Sequence, residues 1–233
     1  MVKKLTVIAA TSAFLLVSCS NKKSSVPEPA KPGAPVETAS PNASYRPAFE
    51  GQTRIGGVKT ATAYSTKILT SSLESPWGIQ SLPNGKFLVT EKAGRMRIVT
   101  ADGNISNPIT GVPPVSSAGQ GGLLGLCLDP DFATNRMVYW SFSESGNLTA
   151  IAKGRLSEDE RALESVTVIY RATPAYSGAL HYGGRVVFDR AGNLLISTGE
   201  RSDLVTRPQA QDPNSSLGKI IRITTSGQPA TGN

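Results

Sequence analysis

Short apolar runs separated by polar turns carry the sequence from about residue 73 onward. WGIQSL (77–82) runs into PNG, KFLVTEK (86–92) into AG, and RMRIVT (95–100) into ADGN. Apolar and polar positions alternate within each run, which is the period of a half-buried β-strand. Asn-Gly and Asp-Gly pairs between such runs are strong hairpin signals. A second unit opens at GLLGLCL (122–128), turns through DPDFATN, and continues as RMVYWSFSE (136–144) and LTAIAKGRL (148–156). A third opens at GGRVVFD (183–189), turns at RAGN, and continues as LLISTGE (194–200) and LGKIIRITTSG (217–227). Gly78, Gly125 and Gly184 mark matching points of the three units, 47 and then 59 residues apart.

Meanders of up to four strands at this spacing predict an all-β fold made of β-propeller blades. A β-sandwich with irregular spacing is the alternative that turn-punctuated strands alone leave open. The charged stretch Ser157 to Glu164 reads as a helical turn or a solvated loop. Three blades do not close a ring, and an open propeller leaves two bare sheet edges exposed. The chain is therefore expected to be the N-terminal half of a longer propeller, with ring closure by a homodimer as the other route.

The N-terminus follows a different pattern. Lys3 and Lys4 precede LTVIAATSAFLLV (5–17), an apolar run of signal-peptide length that is short for a membrane span. It ends in LVSC (16–19), which resembles the lipobox of bacterial lipoproteins, with Cys19 as the lipidated residue. An ordinary signal peptide with a chance cysteine is the alternative. The resemblance implies a bacterial cell-envelope protein, lipid-anchored and periplasm-facing, and Ser20 points to the outer membrane. Residues 20–48 are rich in Pro, Ser, Ala and Lys without apolar periodicity, the composition of a disordered tether. Residues 49–233 are then the folded domain.

The formal charge is +7, but residues 1–50 hold six Lys/Arg against three Asp/Glu. The remaining basic residues are interspersed with acids, and no basic block or aromatic nucleic-acid signature is present. Nucleic acid is not an expected partner. Apart from Cys19 the single cysteine is Cys127, in an apolar run, where it reads as a small buried hydrophobe. No disulfide framework or CxxC metal site follows from two cysteines so placed.

The segments SPWGIQSLPNGKFLVTEKAGRMRIV, GVPPVSSAGQGGLLGLCLDPDFATNRMVYWSFS, HYGGRVVFDRAGNLLISTGE and AQDPNSSLGKIIRI resemble the soluble aldose-sugar dehydrogenases that use pyrroloquinoline quinone, the glucose/sorbosone dehydrogenase family. The resemblance implies a six-bladed β-propeller, of which about three blades are present. It implies oxidation of the anomeric hydroxyl of an aldose sugar to a lactone by hydride transfer to the quinone, with Ca²⁺ polarising a quinone carbonyl. His181, the sole histidine, matches the family's proton-accepting histidine. Gln120 matches the glutamine that contacts cofactor and substrate, and Arg201, in TGERSD, lies where relatives place a polar substrate-side residue. Leu180 is apolar where some members carry an acidic residue that touches the sugar. The metal ligands and remaining quinone contacts are expected beyond residue 233, with none in this segment, and the electron acceptor stays unidentified.

The residue chemistry agrees. Hydride can leave a hydroxyl-bearing carbon only as that hydroxyl loses its proton, and a neutral imidazole near pH 7 can take it. A neutral carboxamide such as Gln120 donates to a quinone or sugar oxygen without adding charge. The two glycines after Tyr182 would let backbone approach a flat ring. Trp77 and Trp140 read as packing residues, and Asp129, Asp131 and Asp189 as turn caps. A non-enzymatic propeller that binds glycans or protein partners is the alternative function, and a calcium-dependent hydrolase on a similar propeller a third.

Overall fold

Among the described residues the hairpins at Asn84-Gly85, Ala93-Gly94, 129–135 and 190–193 form and assemble three antiparallel sheets, whereas the Asp102-Gly103 turn leads only to an isolated bridge between Val99 and Ile105. The computed structural model describes residues 33–40, 44–49, 54, 56–146 and 148–232. Cys19, the lipobox and most of the tether lie outside them. Among the described residues no helix is long and apolar enough to cross a membrane. The chain divides into two compact units between Ser65 and Thr66. In the first, the Gly33 N–H bonds the Gly57 carbonyl at 2.8 Å and the Gly57 N–H bonds Ala34 at 3.0 Å.

The second unit holds the sheets. Strands β1 (Pro76–Ser81), β2 (Phe87–Glu91) and β3 (Arg95–Val99) form the first. Strands β4 (Leu123–Leu128), β5 (Met137–Glu144), β6 (Leu148–Leu156) and β7 (Leu163–Arg171) form the second, and β8 (Gly183–Phe188), β9 (Leu194–Thr198) and β10 (Ile220–Ile223) the third. This is the blade arrangement of a β-propeller, with β1, β4 and β8 as successive inner strands. Among the described residues the one α-turn, α1 (Phe132–Asn135), sits in the β4–β5 connection.

Period-two alternation fills both interfaces from the central sheet. Leu126, Val138, Trp140, Phe142, Ala150 and Ala152 face the first sheet, packing with Leu88, Met96 and Ile98. The intervening Cys127, Tyr139 and Ile151 face the third, packing with Val186, Leu194 and Ile196. Each large aliphatic side chain so buried contributes about 1.5–3 kcal/mol. The Cys127 thiol is pushed up to about 12, by burial and then by the Asp129 charge. It is a packing residue, without thiolate chemistry near neutral pH.

Where inner strands meet, side chains give way to backbone. A Cβ on Gly125 would lie 2.4 Å from the Gly184 carbonyl oxygen, and one on Gly78 would lie 2.6 Å from Leu126 and 3.0 Å from the Leu124 oxygen. A hydroxyl from the second strand spans each approach. Thr90 Oγ1 accepts from the Gly78 N–H at 2.8 Å and donates to Leu124 O, in the next sheet, at 2.7 Å. Ser141 Oγ accepts from the Gly125 N–H at 3.1 Å and donates to Gly184 O of the third sheet. In the third sheet Ser197 Oγ accepts from the Arg185 N–H at 3.0 Å. The residue matching Gly78 and Gly125 is therefore Arg185 and not Gly184. Each inner strand has a register shift that spans this point, and the irregularity displaces a count made from glycines.

Three local expectations need correction. The segment 163–171 is a full fourth strand, β7; only the tight turn 157–162 is a loop, held by Ser157 Oγ, which accepts from the N–H groups of Arg161 and Ala162. Trp140 is fully buried, with its Nε1 unpartnered among the described residues, but Trp77 is 53% exposed on β1. Asp129 and Asp189 do cap turns, Asp189 Oδ1 accepting from the N–H groups of Ala191 and Asn193. Asp131 stands before α1 without a capping bond from its side chain.

Two outcomes follow. Gly125→Ala is expected to force the second and third sheets apart and to lower stability by about 1–3 kcal/mol or more, read as a drop in the urea midpoint. Asp189 is held down to about 2 by the Asn193 N–H and then by Arg222, which donates to its Oδ2 at 2.7 Å. Its contribution to stability is complete above the ordinary carboxylate value of 3.8 and disappears as pH falls through about 2. Asp189→Asn should flatten the acid limb of midpoint against pH in that window.

Candidate functional site

One edge of the stack gathers the loops that precede inner strands and follow second strands. The 116–122 loop leads into β4, the 176–182 loop into β8, and residues 199–203 leave β9. Gly121 N–H bonds Ala118 O at 2.9 Å, and Ser116 N–H bonds Ser143 O at 2.8 Å. Ser143 Oγ takes the Gly122 N–H at 2.7 Å. Lys92, at the end of β2, donates from Nζ to Gly119 O at 2.5 Å. These bonds place Gln120 at an exposed turn tip beside His181.

Gln120 and His181 meet directly. The Gln120 N–H donates to Ala179 O at 2.7 Å, and the Gln120 Oε1 accepts the His181 backbone N–H at 2.8 Å. A backbone N–H only donates, so it fixes which end of the carboxamide faces His181. The Nε2 amino group of Gln120 is thereby left as a donor. Nothing in its sequence neighbourhood indicated this polarity.

The His181 imidazole bonds the Glu200 Oε2 through Nδ1. Burial raises the Glu200 pKa, but its own backbone N–H, His181 and the Ser202 N–H together hold it below the usual carboxylate range. A carboxylate is an acceptor, so Nδ1 carries the proton in neutral His181 and Nε2 presents a lone pair. The His181 side chain is 55% exposed and that of Glu200 16%. An imidazole oriented by a carboxylate, with its second nitrogen open, is a general-base arrangement. Glu200 was not singled out from the sequence. Its position two residues past β9, in STGE, was the available signal.

The other expected site residues fare differently. Arg201, expected on the substrate side, is 2% exposed. Its Nε donates to Leu180 O at 2.9 Å, another guanidinium nitrogen bonds Gly178 O, and the plane lies 3.6 Å from the Tyr182 ring centroid. A group so enclosed by its own protein cannot read a sugar from that position. The glycines of HYGGR face protein too: a Cβ on Gly183 would meet Ser197 O at 2.6 Å, and one on Gly184 would meet Leu124 at 2.7 Å. Leu180 is 45% exposed beside the imidazole. Among the described residues no three His, Cys, Asp or Glu side chains come together as a metal site.

Gly199 is the tightest point of the site. A Cβ there would lie 2.0 Å from the His181 carbonyl oxygen, so no side chain fits. Gly199→Ala should displace the 178–182 loop, break the His181 N–H bond to Gln120 and raise amide exchange at His181. The overlap should also lower stability by about 1–3 kcal/mol.

Sequence and structure comparisons identify the family. The Glucose / Sorbosone dehydrogenase family matches residues 73–233. An aldose sugar dehydrogenase of Escherichia coli is 39% identical over 169 residues, which cover 70% of this chain and 45% of that protein. The apo form of the soluble aldose sugar dehydrogenase of E. coli superposes with a TM-score of 0.67 at 38% identity, over 72% of this chain and 49% of that one. The PQQ-bound form of an aldose sugar dehydrogenase of Streptomyces coelicolor gives 0.65 at 34% identity, over 72% and 49%. The chain spans about half the length of the relatives it matches.

Proposed function

The chain belongs to the glucose/sorbosone dehydrogenase family, and on that premise we propose that it serves the oxidation of an aldose at its anomeric carbon, with His181 as the base. The observation that carries the proposal is the chain of contacts Gln120–His181–Glu200 on one open edge of the sheets.

The residues fit a quinone cofactor in their chemistry. Gln120 keeps a neutral donor, His181 Nε2 keeps a lone pair, and neither is consumed by the protein. Pyrroloquinoline quinone, when bound, supplies the hydride acceptor. His181 Nε2 takes the proton of the anomeric hydroxyl while the hydride leaves the same carbon, so the sugar loses two electrons and two hydrogens and becomes the lactone. Glu200 holds the imidazole in the accepting tautomer and offsets the positive charge that it gains, the part an orienting carboxylate plays beside a general base. Gln120 donates its amide N–H to a quinone or sugar oxygen. Leu180 offers the sugar an apolar contact. Calcium, which the family resemblance implies, would act as a Lewis acid on the quinone, and no residue described here is assigned to it.

The apolar run at 5–17 and Cys19 support a lipid-anchored, periplasm-facing location, and the electrons pass on to an acceptor not yet identified.

The test is reconstitution of the full-length protein with the quinone and Ca²⁺, followed by dye reduction with a panel of aldoses. His181→Gln should lower kcat by about 10²–10⁴-fold while quinone binding, followed by its absorbance, is retained. Turnover that survives this substitution would remove His181 from the chemistry. Glu200→Gln should give a smaller loss, because the imidazole remains but its orientation and charge balance do not.

A further inference from the structure

His181 occupies a backbone conformation that its neighbours must enforce. Its φ is +46°, in the left-handed region, and Arg201 and Ser202, beside Glu200, sit there too at +73° and +58°. Left-handed backbone is unfavourable for an L-residue, and such strain persists where the surroundings over-determine it. Here the enforcement can be followed carbonyl by carbonyl. Gly178 O accepts from the Arg201 guanidinium and from Tyr182 Oη at 3.1 Å. Ala179 O accepts from the Gln120 N–H at 2.7 Å and Leu180 O from Arg201 Nε at 2.9 Å. His181 O accepts from the Arg201 N–H at 3.3 Å and Tyr182 O from Thr149 Oγ1 at 3.0 Å. Five consecutive carbonyls are held, and Arg201 holds three of them.

We propose that Arg201 is the positioning residue of the candidate base: its guanidinium, stacked on Tyr182, clamps the 178–182 loop so that the His181 imidazole is aimed at Glu200. The proposal rests on the assignment of His181 as the base only for its catalytic consequence. The clamp itself is a property of the chain without cofactor.

Three features suit Arg201 to this, and lysine lacks the first of them. A planar guanidinium can stack on a ring and donate in its plane to two carbonyls at once, whereas an ammonium cannot. Burial lowers the Arg201 pKa, with Tyr182 acting in the opposite direction, yet an arginine stays charged at any physiological pH. The backbone of the same residue bonds His181 O, and its predecessor Glu200 bonds the imidazole. Main chain and side chain of one dipeptide thus grip both the peptide and the ring of His181.

The single histidine makes the test direct. One imidazole is present, so two-bond ¹⁵N–¹H correlations report its tautomer alone, in the chain without quinone. The wild type should show neutral His181 protonated on Nδ1. Arg201→Ala should shift the population toward the Nε2-protonated form that a free imidazole prefers, and Arg201→Lys should do so in part. A folded Arg201→Ala or Arg201→Lys chain with the wild-type tautomer would overturn the proposal. If Arg201→Ala does not fold, Arg201→Lys and Tyr182→Leu decide it on the same readout, a shift supporting the clamp and no shift refuting it. In the quinone-loaded protein, Arg201→Lys should lower kcat by about 100-fold with KM little changed, since the aim of the base and not sugar affinity is lost. A shifted tautomer together with turnover indifferent to His181→Gln would leave the clamp standing and remove the catalytic assignment.

Discussion

Backbone meets backbone between the inner strands, and the rest of the structure depends on that closeness. At Gly78 and Gly125 no Cβ fits, and a hydroxyl from the neighbouring strand satisfies polar groups of two sheets at once. Buried N–H and carbonyl groups without partners would cost about 1–3 kcal/mol each. The glycine and the hydroxyl are therefore two halves of one device: the first removes bulk, and the second replaces the water that the approach expels. The apolar layers on either side of the central sheet can form only because this polar seam closes.

The same closeness brings the site loops together. Gln120 enters β4 and His181 enters β8, and these are adjacent inner strands. A carboxamide from one sheet can then bond the peptide of a histidine from the next at 2.8 Å. Glu200 arrives from the end of β9, the partner strand of β8. The candidate base is held by three loops belonging to two sheets, so its geometry depends on the packing between them.

Much of the fold was legible in the sequence because turns and alternation are local. Gly85 and Gly192 take the positive φ that their turns need, and the flanking strands follow. β7 was hidden because its charged leader, Ser157 to Glu164, masks the β-branched run behind it. Arg185 was hidden behind Gly184 because a register shift is set by the pairing partner, which no count along one strand contains. His181 and Gln120 stood out through their resemblance to a family pattern. Glu200 and Arg201 are neighbours in sequence with opposite fates, one at the imidazole and one buried under the loop. Only the left-handed turn at 201–202 decides which is which, and a run of polar letters does not encode that decision in a readable way.

The hydroxyl seam also has a direction. Thr90 gives its proton to the sheet that follows, and Ser141 does the same. Ser197 occupies the third place, accepting from Arg185, and its proton has no acceptor among the described residues. Each of the two junctions thus has a giving sheet and a receiving sheet, as the links of a zip do. At both junctions the order of the sheets is written in the direction of one hydroxyl bond.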